Sequence, residues 1–168
     1  MSNINGYSFL NDKKITLTTD GVGPYTAVSS NVILGTVFIP ANTFTDIDIV
    51  TIECFLEKSG TTNTPNYNFY YNTELSLATA ITLSTRAISA TFRSIYHMRR
   101  MAIRNVDGTG QGTIISALGQ SIDTDYQAFT TVVSVVALNW TVDSYIFIGG
   151  RTAIGGDNLR CNFLKVSN

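Results

Sequence analysis

Acid–base chemistry near neutral pH has one ordinary candidate in this chain, because His97 is its only histidine. It lies in Tyr96-His97-Met98-Arg99-Arg100, where neighbouring positive charge opposes its protonation, and no Gly-x-Ser-x-Gly elbow is present. No nucleophile–base pair is visible, so His97 is expected at a surface or interface and the chain reads as a non-enzyme with no catalytic residue. Cysteine is nearly as scarce. Cys54 and Cys161 each fall in apolar alternation, with Val50, Ile52 and Leu56 and with Leu159 and Phe163. That pattern predicts buried free thiols and offers neither a disulfide framework nor a zinc-ligand set.

Long apolar runs are missing too. The longest, Val132 to Leu138, is too short to cross a bilayer, and its β-branched content predicts a strand buried on both faces. Met1 to Tyr7 has neither a charged start nor an apolar stretch, so no secretory signal is expected. On that footing the acceptor-like Asn139-Trp140-Thr141 reads as a chance match. Lys, Glu and Gln are sparse beside Thr, Val, Ile, Tyr and Phe, which makes strands the expected element.

Charged residues make up 14% of the chain and the formal net charge is −1. The isoelectric point, about 5.7, lacks the domain-wide basicity of nucleic-acid binders. The charge is nonetheless unevenly placed. No acidic residue occurs between Leu75 and Val106, while Arg86, Arg93, Arg99, Arg100 and Arg104 all do. A guanidinium fork binds carboxylate or phosphate at two points, so Arg93, Arg99, Arg100 and Arg104 are candidate contacts to an acidic protein or anion. The carboxylate pairs Asp46/Asp48 and Asp123/Asp125 stand at strand ends or loops, where Asp satisfies backbone donors rather than holding a cation. The glycine-rich stretches Gly108–Gly112 and Gly149–Gly156 lack a following Gly-Lys-Ser/Thr and are expected to be turns, leaving no cofactor or metal implied.

A length of 168 residues suits one domain that buries its own core. Residues 1–22, rich in Asn, Asp, Lys and Gly, read as an N-terminal arm or docking segment, and 23–168 as a single sandwich domain. Strands are predicted at Ile15–Thr18, Val32–Ile39, Asp46–Leu56, around Tyr67–Asn72, and at Leu77–Leu83, Ile88–Tyr96, Met98–Val106, Thr113–Leu118, Phe129–Leu138, Ser144–Ile148 and Leu159–Val166. Leu75–Ala80 and Ser94–Ala102 compete as short helical turns. Many short strands with turn residues between them, and no fixed repeat, predict an all-β chain: an antiparallel β-sandwich of jelly-roll type. Phe129–Leu138 is apolar on both faces, so a second copy is expected to cover one, with Val132, Val133, Val135 and Val136 as the candidate oligomer interface.

Several strings occur in order: Ile39-Pro40-Ala41-Asn42-Thr43, Asp48-Ile49-Val50-Thr51-Ile52, Tyr71-Asn72-Thr73 before Leu75-Ser76, and Asn139 to Ile146 before Gly156-Asp157-Asn158-Leu159. They resemble trimeric jelly-roll virion proteins of tailed bacteriophages, found as head fibres, capsid decoration or tail-fibre tips with heads like those of tumour necrosis factor and C1q. One departure is Ile47, where such sequences often place Gly before the Asp. The resemblance implies a non-enzymatic trimer, located in the virion, whose partners are itself and other virion proteins. It implies no cofactor, no nucleic acid and no membrane insertion. The alternative it leaves open is a receptor- or host-glycan-binding tip, for which Tyr67, Tyr70 and Tyr71 are the candidate sugar contacts.

Overall fold

The computed structural model describes residues 17–20, 25–26, 30–46, 48–60, 64–105, 112–117, 133–152 and 157–168. Among these are eleven strands and no helix. They are β1 (Leu17–Asp20), β2 (Tyr25–Thr26), β3 (Val32–Ile39), β4 (Ile49–Lys58), β5 (Asn66–Asn72), β6 (Ile81–Ala87), β7 (Ser94–Asn105), β8 (Gly112–Ala117), β9 (Val133–Leu138), β10 (Ser144–Arg151) and β11 (Asn158–Ser167). A large antiparallel sheet runs β1-β11-β4-β7-β8-β9, with β2 also on β11, and a small one runs β3-β10-β5-β6. The chain is all-β, and its two antiparallel sheets share one core, consistent with a β-sandwich.

Period-two alternation builds that core. On β4, Val50, Ile52, Cys54 and Leu56 are buried while Thr51, Glu53, Phe55 and Glu57 lie on the other side. They meet Leu34, Val37 and Ile39 of β3, Phe69 and Tyr71 of β5, and Ile146 and Ile148 of β10 in one cluster. Each large apolar side chain buried there contributes roughly 1.5–3 kcal/mol. Both cysteines are free and buried, as their alternation predicted. Burial pushes the Cys161 thiol up to about 12, so it behaves as a small apolar group.

The predicted strands shift in instructive places. Ile88–Tyr96 and Met98–Val106 are not two strands: β7 runs unbroken from 94 to 105, while 88–93 is a connection. The segment proposed as a helical turn at 94–102 is therefore extended. Gly149 and Gly150 are not turn residues but lie inside β10. A Cβ at Gly149 would come within 2.8 Å of the Tyr70 ring, and one at Gly150 within 2.7 Å of Leu34 Cδ1, so both glycines serve close packing. Gly108–Gly110 lie outside the described residues. β1 begins inside the segment expected to be an arm, and it pairs in register with β11, Leu17 opposite Val166.

At one end of the strands a buried ion pair closes the core. Lys58, on the inward side of β4, reaches Asp157 Oδ2 at 3.2 Å and donates to the carbonyls of Gly60 and Ala90. Three connections are tied together by one ammonium group. Gly60 adopts φ +83°, and a Cβ there would overlap Asp157 Oδ1, so the turn requires glycine.

Candidate interaction face of the large sheet

The outward side of the large sheet is laid out in cross-strand rows set by register. Glu53 pairs with Met98 and Lys165, Phe55 with Tyr96 and Phe163, and Glu57 with Ser94 and Arg160. The middle row is aromatic across three adjacent strands. Phe55 and Phe163 stack with centroids 6.4 Å apart, and Tyr96 tilts against Phe163 at 6.3 Å. Tyr96 is 49% exposed. An outward sheet face ordinarily carries polar residues, so three rings in a row form an exposed apolar stripe of the kind that marks a contact site.

The row above fixes the stripe electrostatically. Tyr96 Oη donates to Glu53 Oε2 at 2.7 Å, and Lys165 Nζ donates to Oε1 at 3.0 Å. The Tyr96 hydrogen bond is the main reason the Glu53 carboxyl lies below its ordinary value, with Lys165 and Arg100 adding to it. The same bond raises the Tyr96 hydroxyl. The tyrosine ring is thereby held in place over the sheet.

The basic segment is divided by strand alternation. Arg93 and Arg100 are exposed. Arg99 is not: it lies on the inward side of β7 with His97, Met101 and Ile103 and is only 6% exposed, so its expected role as a surface contact is corrected. Arg104 lies on β7, and its side chain is outside the described residues. His97 is likewise buried rather than at a surface. It stacks on Phe69 at 5.0 Å and shares a 2.9 Å hydrogen bond with the Tyr67 hydroxyl. Burial first, then the fields of Arg86 and Arg99, lower His97 from 6.5 to about 3. It is neutral in the folded protein at physiological pH.

The tyrosines expected to meet sugar are buried too. Tyr67 and Tyr71 belong to the core cluster, and Tyr70 stacks on Phe147 on the outer side of the small sheet, its hydroxyl accepting from Asn31 and Asn68. Along the expected oligomer strand, Val136 packs against the chain's own core. Val133 and Val135 lie on β9 with side chains outside the described residues, as does all of Val132. Asp48 behaves as the turn reading required, accepting from Thr45 N and Oγ1. Asn139 accepts from Thr141 N and Oγ1, so the Asn-Trp-Thr string is a turn closure ahead of β10. Asp123 and Asp125 lie outside the described residues, and no group of three or more His, Cys, Asp or Glu among the described residues could hold a metal.

The signal that reasoning along the sequence missed is the aromatic row. Tyr96 and Phe163 lie 41 and 108 residues beyond Phe55 and become its neighbours only through the β4·β7 and β4·β11 registers. Phe55 and Tyr96 occupy the polar phase of their strands, opposite the core residues, which is the trace a sequence can carry; Phe163 instead shares the phase of Leu159 and Cys161, and the irregularity between Cys161 and Phe163 turns it outward against the alternation expected of it. No family, curated protein or solved structure matches the chain.

Proposed function

We propose that this chain is a non-enzymatic structural subunit of a bacteriophage virion, a head-fibre or capsid-decoration protein that docks on the particle as a homo-oligomer. The observation that carries the reading is the nesting of its strand pairs. Setting aside β2 and the β8–β9 hairpin, the eight remaining strands pair first with last, second with seventh, third with sixth and fourth with fifth. These are β1·β11, β3·β10, β4·β7 and β5·β6, all antiparallel. A double Greek key wound from one long hairpin has this nesting, which supports a jelly roll over other two-sheet arrangements. The strings that resemble phage jelly rolls fall at its strand ends: Pro40 to Thr43 after β3, Asp48 before β4, Thr73 after β5, Asn139 to Asp143 before β10 and Asp157 before β11. They are turn determinants, and the virion assignment rests on their likeness.

Self-association is read from the aromatic row of Phe55, Tyr96 and Phe163, in place of the β9 valines. Aromatic rings rimmed by opposite charges, here Glu53, Lys165 and Arg100, are a common make-up for a subunit contact. The test is light scattering on the purified chain at micromolar concentration. A trimer would have three times the 18.3 kDa subunit mass, and Phe55→Glu should reduce it to one subunit with the fold retained. A wild-type monomer that dilution and concentration leave unchanged would overturn the oligomer. A map of the native particle without a cluster of such sandwiches on its surface would overturn the virion role.

A further inference from the structure

The two ends of the strands differ in charge. Among the described residues, Asp46, Asp48, Glu74 and Asp143 gather at the Ile49 end, where β7 also brings Arg104. Arg86, Arg93, Arg151 and Arg160 gather at the Lys58 end, with Glu57. The Lys58–Asp157 pair cancels internally there, leaving the end basic. Two concavities open at this end, one on each side of Ser94. One, of about 520 Å³, is lined by Arg93, Arg160, Glu57, Ser59, Ser94 and Asn158 among others. The other, of about 420 Å³, includes Phe92 and Tyr96 in its wall. Phe92 is 56% exposed. Volumes of this size are typical of ligand clefts.

We infer that the Arg93–Arg160 groove binds a carboxylate-bearing saccharide, of the uronic-acid type. Two guanidinium forks on opposite walls can each take a carboxylate at two points. The Ser59 and Ser94 hydroxyls and the Asn158 amide supply both donors and acceptors for sugar hydroxyls. Phe92 lines the adjoining concavity across Ser94, where its exposed ring is available to the apolar side of the next sugar of the chain. Glu57 selects within the anions: it stands opposite Arg160 in the β4·β11 register and repels a dense polyphosphate, yet accepts from a hydroxyl set between two carboxylates. The site does not depend on the virion assignment, and the groove residues lie one row below the aromatic stripe.

The experiment is calorimetric titration of the full chain with tetragalacturonate and with a hyaluronan tetrasaccharide, alongside fully methyl-esterified tetragalacturonate and tripolyphosphate. At least one carboxylated sugar should bind, and the neutral ester and tripolyphosphate should bind far more weakly. Arg93→Gln with Arg160→Gln should weaken that binding by on the order of tenfold or more, since charge-assisted hydrogen bonds are the strong ones. Arg151→Gln, at the same end but outside the groove, should leave affinity unchanged, and none of these changes should alter the particle mass of the protein in solution. All three arginines are exposed, and unchanged melting curves would confirm that the variants fold. Failure of both carboxylated sugars to bind at millimolar concentration would overturn the inference. So would equal binding of tripolyphosphate, or an equal loss with Arg151→Gln, because either would reduce the site to a diffuse positive field.

Discussion

Both sheets place aromatic rings on their outward sides, but they treat them differently. On the small sheet, Phe147 is 0% and Tyr70 is 7% exposed, because the chain covers them itself: Leu77 of the β5–β6 connection lies over this side and Asn31 caps the Tyr70 hydroxyl. On the large sheet, Phe55 and Phe163 are half-buried and Tyr96 is open to solvent. The same side-chain chemistry is a second, satisfied core on one face and a partly exposed row on the other. Among the described residues, what separates the two is whether a connecting segment returns over the sheet, not which residues the strands contain.

Four measurements can break or sharpen that contrast. Phe147→Ala should cost about 3–5 kcal/mol in urea unfolding, as an interior truncation does, and should leave the solution mass unchanged. A small loss would mean that the small sheet's outer face is not a core. Lowering the pH attacks the inner side of β7 instead. The unfolded chain protonates His97 near 6.5 and the folded chain only near 3. Stability is therefore complete above about 6.5 and declines as pH falls toward 3, by up to roughly 1.4 kcal/mol per unit. Unfolding curves at a series of pH values should show this slope, and His97→Gln should flatten it. A slope that persists in the variant would assign acid sensitivity elsewhere.

Gly149→Ala should destabilise by about 1–3 kcal/mol, because the added methyl group must displace Tyr70 or Leu77 from the small sheet's cover. Unchanged thermal melting would show that the cover is loose. The smallest effect belongs to the open face. Tyr96→Phe removes the hydrogen bond to Glu53 and should cost at most about 1 kcal/mol. It should also return the Glu53 carboxyl toward its ordinary value, a shift that carboxylate NMR titration reads directly. The sign is that of a depressed acid: Glu53 favours the fold above the usual carboxylate range, and that contribution fades on acidification.

The strands from Val32 to Ile39 and from Leu159 to Val166 were legible to within a residue, because Val, Ile and Phe alternate between clear turn signals such as Pro40 and Asp157. Residues 88–105 were not. Arg99 and His97 sit on the inward phase of β7, so polarity pointed outward where the backbone points inward, and the strand appeared to break at its middle. Tyr70 and Phe147 were unreadable for a related reason: nothing in β5 or β10 announces that Leu77, several residues further on, folds back over them. Arg93 was singled out for its place in the basic segment, whereas Arg160, which lines the same concavity, lies on a strand 67 residues later and carried no local sign of the association.

The nested pairing also has a consequence in time. β11 lies between β1 and β4 and also carries β2, so the large sheet is assembled around a strand that leaves the ribosome after every other described strand. Until it arrives, Leu17–Asp20 has no ladder to join, and β4 exposes one edge along most of its length. Such an order gives long-range closure at the last step, slow folding, and an interval in which the open edge of β4 can pair with another chain. A neighbouring copy emerging beside it at that moment would meet an unpaired edge before it met a finished surface.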